Sequence, residues 1–330
     1  MKVILRQKTA LIVCAVLFEV FVFYLGRWSV SDSDGVAVSP ESGNLVPSAP
    51  KPVPTLQTYL LILIMSSPGD AQLRETIRNT WLKLSNKGPT VSWAVFPIGT
   101  ANMDELTIAQ LNAENKKFGD LVFLPNVTES YDKLARKTAD GIRYAVENYD
   151  FKFLLKVDSD SFVRVGALLK ALRDIAHPRL YWGFLDGRAK PFRSGKWKEV
   201  DWLLCDRYLP YQLGGGYVIS RDLAVFVASN ARFLKYYVSE DVSLGVWLAP
   251  TNAKYVHDPR FDTEFQSRGC NNEYLITHKK APAQMVTLFA NLKQTGRLCF
   301  KEFQARPSYV YDFSVPPSQC CTRRNNSAIP

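Results

Sequence analysis

Strand-like and helix-like segments alternate over residues 57–160, and this predicts an α/β fold with a mostly parallel central sheet flanked by helices on both faces. Three observations carry the prediction. Apolar runs at 59–65, 91–96, 121–124 and 151–157 are short, unbroken and rich in branched and aromatic side chains, as suits strands covered on both faces. More polar, helix-like stretches separate them at 70–81, 103–118 and 128–149. The fourth run stops on Asp158-Ser159-Asp160, and open α/β sheets gather their ligands at the carboxyl ends of such strands.

The 330 residues are 47% hydrophobic and 22% charged, an ordinary globular composition sufficient for one large domain or two small ones. The formal charge of +10 favours anionic partners: nucleotide sugars, polyanionic glycans, a lipid surface or nucleic acid. The amino terminus argues against the last. Residues 1–8 carry Lys2, Arg6 and Lys8 and read as a cytoplasmic tail, followed by an apolar transmembrane signal-anchor at 9–26. Glu19 inside that span costs about 2.5 to 3.5 kcal/mol at mid-bilayer, which its aliphatic and aromatic neighbours offset. The apolar core is long for a cleaved signal peptide, and no small-x-small cleavage pattern follows it. With basic residues before the span, the positive-inside rule puts all that follows in the lumen.

Residues 27–56 are rich in Ser, Gly, Val and Pro, cannot bury a core, and read as a lumenal stem. The globular domain is expected at 57–330. Five cysteines, Cys205, Cys270, Cys299, Cys320 and Cys321, then lie on the oxidising side, so one is left over and the pairing is open. No C-x-x-C pair occurs, which makes zinc an improbable ligand for them. Asn126 and Asn325 head acceptor sequons for glycosylation.

Within the domain, 59–65 is the first strand, 66–70 a turn, and Asp70 the N-cap of a helix carrying Arg74 and Arg78 on one face. Like charges at i and i+4 repel unless an anion lies between them, and a diphosphate would serve; the alternative is a solvated basic face. After Asp160 come a helix at 165–175, a strand at 179–184 and a loop at 186–202 that mixes aromatic rings with donors. Sugar recognition uses such rings, although a packed core Trp is the commoner fate. Gly214-Gly215-Gly216 precedes a strand and lets backbone approach a ligand, or simply makes a tight turn. Glu240 and Asp241 open a helix stopped by Pro250. There the helix dipole favours acids, and one of a carboxylate pair is a candidate general base.

The D-x-D pair at Asp158 and Asp160 suits a divalent cation already holding a diphosphate, or is merely a strand end with two solvated acids. An EF-hand loop is excluded because Val163 and Leu169 stand where Gly and Glu are needed. A phosphatase with Asp158 as nucleophile is a weak rival, since Lys170 and Asp174 fall on the following helix.

Taken in order, Arg74-x-x-Ile77-Arg78-x-Thr80-Trp81, Lys156-x-Asp158-x-Asp160-Ser161-Phe162, Gly214-Gly215-Gly216-Tyr217 and Glu240-Asp241-Val242-x-x-Gly245 resemble the inverting β-1,3-glycosyltransferases. The resemblance runs from Tyr59 to the carboxyl terminus. It implies a GT-A type nucleotide-diphospho-sugar transferase fold, Mn²⁺, and UDP-galactose as donor. It implies as acceptor a proteoglycan core protein bearing galactosyl-xylosyl-serine, and as location the Golgi membrane in single-pass type II orientation. A transferase for another glycan and a non-catalytic glycan-binding protein of the same fold are the alternatives. Family members often carry three acids where this chain has Asp158-Ser159-Asp160. The resemblance nevertheless implies Asp160 and His278 as metal ligands, with His257 the less favoured alternative, and Asp158 on the nucleotide ribose. It implies Arg74, Arg78, Gly215, Gly216 and Glu240 on the donor side and Asp241 as the base.

Overall fold

A computed structural model describes residues 56–85, 88–324 and 329–330. The expected cytoplasmic tail and membrane span, the stem up to residue 55, and the sequon at Asn325 lie outside the described residues. Among the described residues no helix is long and apolar enough to cross a membrane.

The chain runs β1 (Leu56–Met65), α1 (Ala71–Asn79), β2 (Ser92–Gly99), α2 (Glu105–Phe118), β3 (Leu121–Leu124), α3 (Leu134–Asn148) and β4 (Tyr149–Asp158). It continues through β5 (Phe162–Val163), α4 (Val165–Ile175), β6 (Leu180–Gly183), β7 (Leu185–Asp186), β8 (Tyr211–Gln212), β9 (Gly216–Ser220), α5 (Arg221–Asn230) and α6 (Glu240–Leu248). It closes with β10 (Lys254–His257), β11 (Phe261–Asp262), β12 (Gly269–Cys270), β13 (Ile276–Thr277), α7 (Pro282–Thr295) and β14 (Phe303–Gln304).

Seven strands form the central sheet in the order β10-β6-β9-β4-β1-β2-β3. β1 is parallel to β2 and β4, β2 to β3, and β10 to β6. The expected mostly parallel sheet is therefore a mixed one, because β9 runs antiparallel to both β4 and β6. The reason lies in the connection. No crossover helix carries the chain from β6 back to the opposite edge; a long loop keeps it at the carboxyl edge, and β9 can only run back from there.

Alternation along the inner strands splits the core into two layers. Leu60, Ile62 and Ile64 of β1 pack with Ile77, Trp81, Leu168 and Leu172 on one face. Leu61 and Leu63 pack with Ala139, Ile142, Ala145, Leu223 and Val227 on the other. Each such fully buried side chain contributes about 1.5 to 3 kcal/mol relative to exposure, so helices must cover both faces.

Two helix boundaries differ from the sequence pattern. The helix expected over 128–149 starts at Leu134 after a short 3-10 turn at Tyr131–Lys133, and Tyr149 already belongs to β4. Glu129 explains the delay, since its carboxylate accepts from the Gly99 N–H at 2.6 Å and pairs with Lys137 at 2.5 Å. Asp70 stands at the N-cap position of α1, as expected, but its side chain makes no cap bond and reaches back to the Ser67 N–H at 2.7 Å, closing the turn after β1.

A second, small sheet of order β11-β13-β5 decides where the chemistry lies. β5 follows Asp160, β13 precedes His278, and β11 leads into Glu264, so three distant stretches meet at the carboxyl edge of the main sheet. Among the described residues the cysteines pair as Cys270–Cys299 and Cys320–Cys321, leaving Cys205 free and exposed.

Candidate active site

Asp158 ends β4, and the turn that follows presents Asp160 beside it; both side chains are about 30% exposed. His278 arrives on the other side, buried, from the end of β13. One oxygen from each acid and an imidazole nitrogen lie within 4.8 Å of one another.

The imidazole is aimed by its surroundings. Its Nδ1 lies 2.8 Å from the Glu264 carbonyl, which can only accept, so Nδ1 carries the hydrogen and Nε2 faces the carboxylates. Nε2 stands 2.9 Å from Asp160 Oδ1 and 3.5 Å from Asp158 Oδ2, yet has no hydrogen-bond partner and is buried. A buried nitrogen left in that state, facing two hard oxygens and held by a backbone carbonyl behind it, fits a divalent cation. Burial alone would raise the Asp160 carboxyl, but His278 when its ring is protonated on both nitrogens, and the Lys279 ammonium at 2.8 Å, outweigh it and hold the group well below the usual carboxylate range.

His257, the alternative ligand, is elsewhere. Its Nδ1 accepts from the Leu185 N–H at 3.1 Å, its Nε2 lies 3.0 Å from the Tyr309 carbonyl, and its ring stacks on Tyr309. Burial lowers its pKa to about 4, in keeping with a neutral structural imidazole.

Arg74 and Arg78 do flank an anion, but it is the protein's own. Glu114 takes both: Arg74 donates to it at 2.8 and 2.7 Å and Arg78 at 2.8 Å, while Arg78 also pairs with Asp120. Glu114 thus already relieves the repulsion for which a diphosphate was expected. Arg74 is wholly buried and also donates to Ser66 Oγ at 3.0 Å and to the Ser67 carbonyl. It therefore fixes the turn after β1, directly beside Asp158, whose strand partner is Met65.

The glycine run is approached closely by protein groups. Gly214 donates its N–H to Asp241 Oδ2 at 2.9 Å, and a Cβ there would stand 3.0 Å from that oxygen. A Cβ on Gly215 would meet the His278 ring at 2.7 Å and the Thr263 carbonyl at 2.9 Å. Gly216 opens β9 and packs against Ile276 and Val157. Gly215→Ala is accordingly expected to displace the imidazole and weaken divalent-cation affinity roughly 10- to 100-fold, the usual loss when a metal ligand's support is disturbed. Calorimetric Mn²⁺ titration checks this against Gly166→Ala, where nothing lies within 4 Å of the added carbon.

Glu240 and Asp241 point apart, as neighbours on a helix must. Glu240 is buried; it accepts from the Tyr217 hydroxyl and pairs with Lys156 at 2.8 Å, so both oxygens are engaged by protein groups. Asp241 is half-buried, with the Gly214 and Val242 N–H groups, both at 2.9 Å, orienting its carboxylate. Burial, joined by the charge of Glu240, pushes its carboxyl up to about 7 against the pull of Lys156 and the two N–H groups.

Lys156 had no assigned role in the sequence reading. Its ammonium is buried and bonds at 2.8 Å to Asp158, 2.8 Å to Glu240 and 2.7 Å to the Gly214 carbonyl. Burial would lower its pKa, but the two carboxylates outweigh it and keep the group charged. The available signal was a lysine in an otherwise apolar strand two residues before an acid, hence on the same strand face. Glu264 offered no such signal, because it acts on His278 through its carbonyl while its carboxylate holds Arg323.

An α/β sheet whose carboxyl edge gathers two acids, an imidazole and a carboxyl poised near neutrality defines an enzyme, and comparison places it. The galactosyltransferase family model matches residues 72–259, and the chain belongs to that family of glycosyltransferases. It is 45% identical over 275 residues to beta-1,3-galactosyltransferase 6 of Mus musculus, covering 82% of this chain and 85% of that one. Hydroxyproline O-galactosyltransferase GALT2 of Arabidopsis thaliana is 32% identical over 258 residues, 75% of this chain and 37% of that longer one. Among solved structures the galactosyltransferase LgtC, in complex with donor and acceptor sugar analogs, aligns at 14% identity with a TM-score of 0.38, over 68% of this chain and 88% of that one. That alignment is too loose to bear on function.

Proposed function

We propose that this galactosyltransferase moves galactose from UDP-galactose, in β1,3 linkage and with inversion, onto the galactose of galactosyl-xylosyl-serine on a proteoglycan core protein. The acceptor follows from the likeness to a beta-1,3-galactosyltransferase 6 over nearly the whole length of both chains. The observation that carries the mechanism is Asp241, a half-buried carboxyl pushed up to about 7 and oriented by two N–H groups, at the same sheet edge as the acid and imidazole cluster.

Inversion by single displacement needs one base on the acceptor side and a stabilised leaving group on the other, with no covalent sugar intermediate. Asp241 takes the proton of the acceptor 3-hydroxyl. Asp160 and His278 would hold Mn²⁺ with Asp158 beside them, and the ion when bound supplies positive charge to the departing diphosphate. Lys279, half-exposed beside Asp160, adds a second cation there. Lys156 sets the two sides relative to one another by gripping Asp158 and Glu240 at once.

The same reading takes the architecture as GT-A type, the protein as a type II Golgi membrane protein anchored at 9–26, and 57–330 as its lumenal catalytic domain. Residues 57–330, secreted behind a cleavable signal, test it in one experiment. UDP-galactose with a galactosyl-xylosyl acceptor should give product, and UDP-N-acetylglucosamine or acceptors lacking the terminal galactose should not. Transfer of a different sugar, or to a different acceptor, would overturn the assignment, and binding without turnover would leave a glycan-binding protein.

A further inference from the structure

The loop between β7 and β8 carries Phe192 and Trp197, and the chain after β11 carries Phe265. These rings, distant in sequence, form one row: centroids are 5.5 Å apart for Phe192 and Trp197 and 6.1 Å apart for Trp197 and Phe265. The row is not core. Phe192 is 49% and Phe265 56% exposed, and neither belongs to a buried apolar cluster. Leaving such rings in water forgoes about 25 cal/mol per Å² of apolar surface, so folding alone does not account for gathering them from two loops.

The row is tied to the catalytic groups at Phe265, one of its ends, and at Trp197, its middle. Phe265 follows Glu264, whose carbonyl aims His278. The Tyr131 hydroxyl lies close to the Trp197 indole and to Ser239, the residue immediately before Glu240 and Asp241. Tyr131 sits close enough to Asp241 and Asp158 that their charges add to the burial that raises its pKa, to about 12, so it stays a neutral hydroxyl. Lys196 covers the Tyr131 ring, its ammonium 4.2 Å from the centroid, and leaves the row beyond it to Trp197 and its two neighbours.

Accepting the functional reading above, we propose that Trp197, flanked by Phe265 and Phe192, is the platform for the acceptor sugar one step back from the reacting galactose. The reacting sugar must place its hydroxyl on Asp241, and Tyr131 lies near both that carboxylate and Trp197. The next pyranose therefore falls on the row, where its C–H face packs on the rings as an apolar surface would. Specificity for a disaccharide end then comes from Trp197, and the nucleotide sugar takes no part in it.

The test compares two acceptors, a galactosyl-xyloside and a simple galactoside, with UDP-galactose in each case. Trp197→Ala should raise KM for the galactosyl-xyloside at least tenfold while leaving KM for the simple galactoside, KM for UDP-galactose and the slow hydrolysis of donor by water unchanged. Phe265→Ala should act in the same direction to a smaller extent, and Trp197→Phe, which keeps a ring, should restore most of the loss. Equal losses on both acceptors, a shift in donor KM, or no change in any KM would each overturn the platform. A wild-type enzyme inactive on the galactosyl-xyloside would instead overturn the functional reading, before any variant is compared.

Discussion

Asp241→Asn lowers turnover by roughly 10² to 10⁴, the usual worth of a positioned acid or base, while UDP and Mn²⁺ still bind. The substitution keeps the shape of the side chain and an oxygen to accept from Gly214, but removes the basicity. The pH profile gives the same answer independently. A carboxyl pushed up to about 7 is protonated, and inactive as a base, below that pH; kcat should fall about tenfold per unit as pH drops beneath 7, and this limb should be missing in Asp241→Asn. Glu240→Gln behaves differently. It removes the charge that helps raise the Asp241 carboxyl, so the limb should move to lower pH, and it strips Lys156 of a buried partner, which lowers stability. Near-normal turnover in Asp241→Asn at saturating substrates, or an unshifted limb in Glu240→Gln, would mean that the base is a different group.

Asp160→Ala abolishes transfer and Mn²⁺ binding together, and leaves thermal unfolding close to that of the wild type. Asp160 sits beyond the end of β4 on a partly exposed turn, so its removal opens no core cavity, and Lys279 is exposed enough to be solvated without it. What is lost is one hard oxygen facing His278 Nε2, leaving a single nearby acid whose other oxygen is engaged by Lys156. Mn²⁺ titration and an unfolding scan on the same preparation separate a lost site from a lost fold. Wild-type turnover that survives excess chelator would sink the metal assignment outright.

How much of this was legible beforehand depends on the range of the interactions. The inner strands, the helices at 105–118 and 165–175 and the D-x-D edge follow from local periodicity and were readable. The direction of β9 was not, because it depends on a loop staying at one sheet edge rather than on any pattern within the strand. Arg74 and Arg78 show the same limit: the spacing left open an anion between them or a solvated basic face, and only the fold brings Glu114, some forty residues away, into the gap. The glycines at 214–216 were legible as a close approach, with the approaching groups, Asp241 and His278, hidden until β9 and β13 were placed. Lys156 could have been found from strand alternation; Glu264 could not, since a carbonyl acceptor has no side-chain signature.

The grip of Arg323 on Glu264 gives the site a position in time as well as in space. The inner parallel strands β1 to β4 occupy the first half of the described chain, and their pairing needs nothing that comes later. The carbonyl that aims His278 belongs to a residue whose carboxylate is clasped by Arg323, which follows the whole sheet in the chain and stands beside the Cys320–Cys321 bridge. As the polypeptide leaves the ribosome, its sheet can settle while its imidazole is still unaimed. A molecule cut short before Cys320 would keep the paired strands β1 to β4 and lose, with the buried Cys320–Cys321 bridge, the clasp on the residue that aims its imidazole.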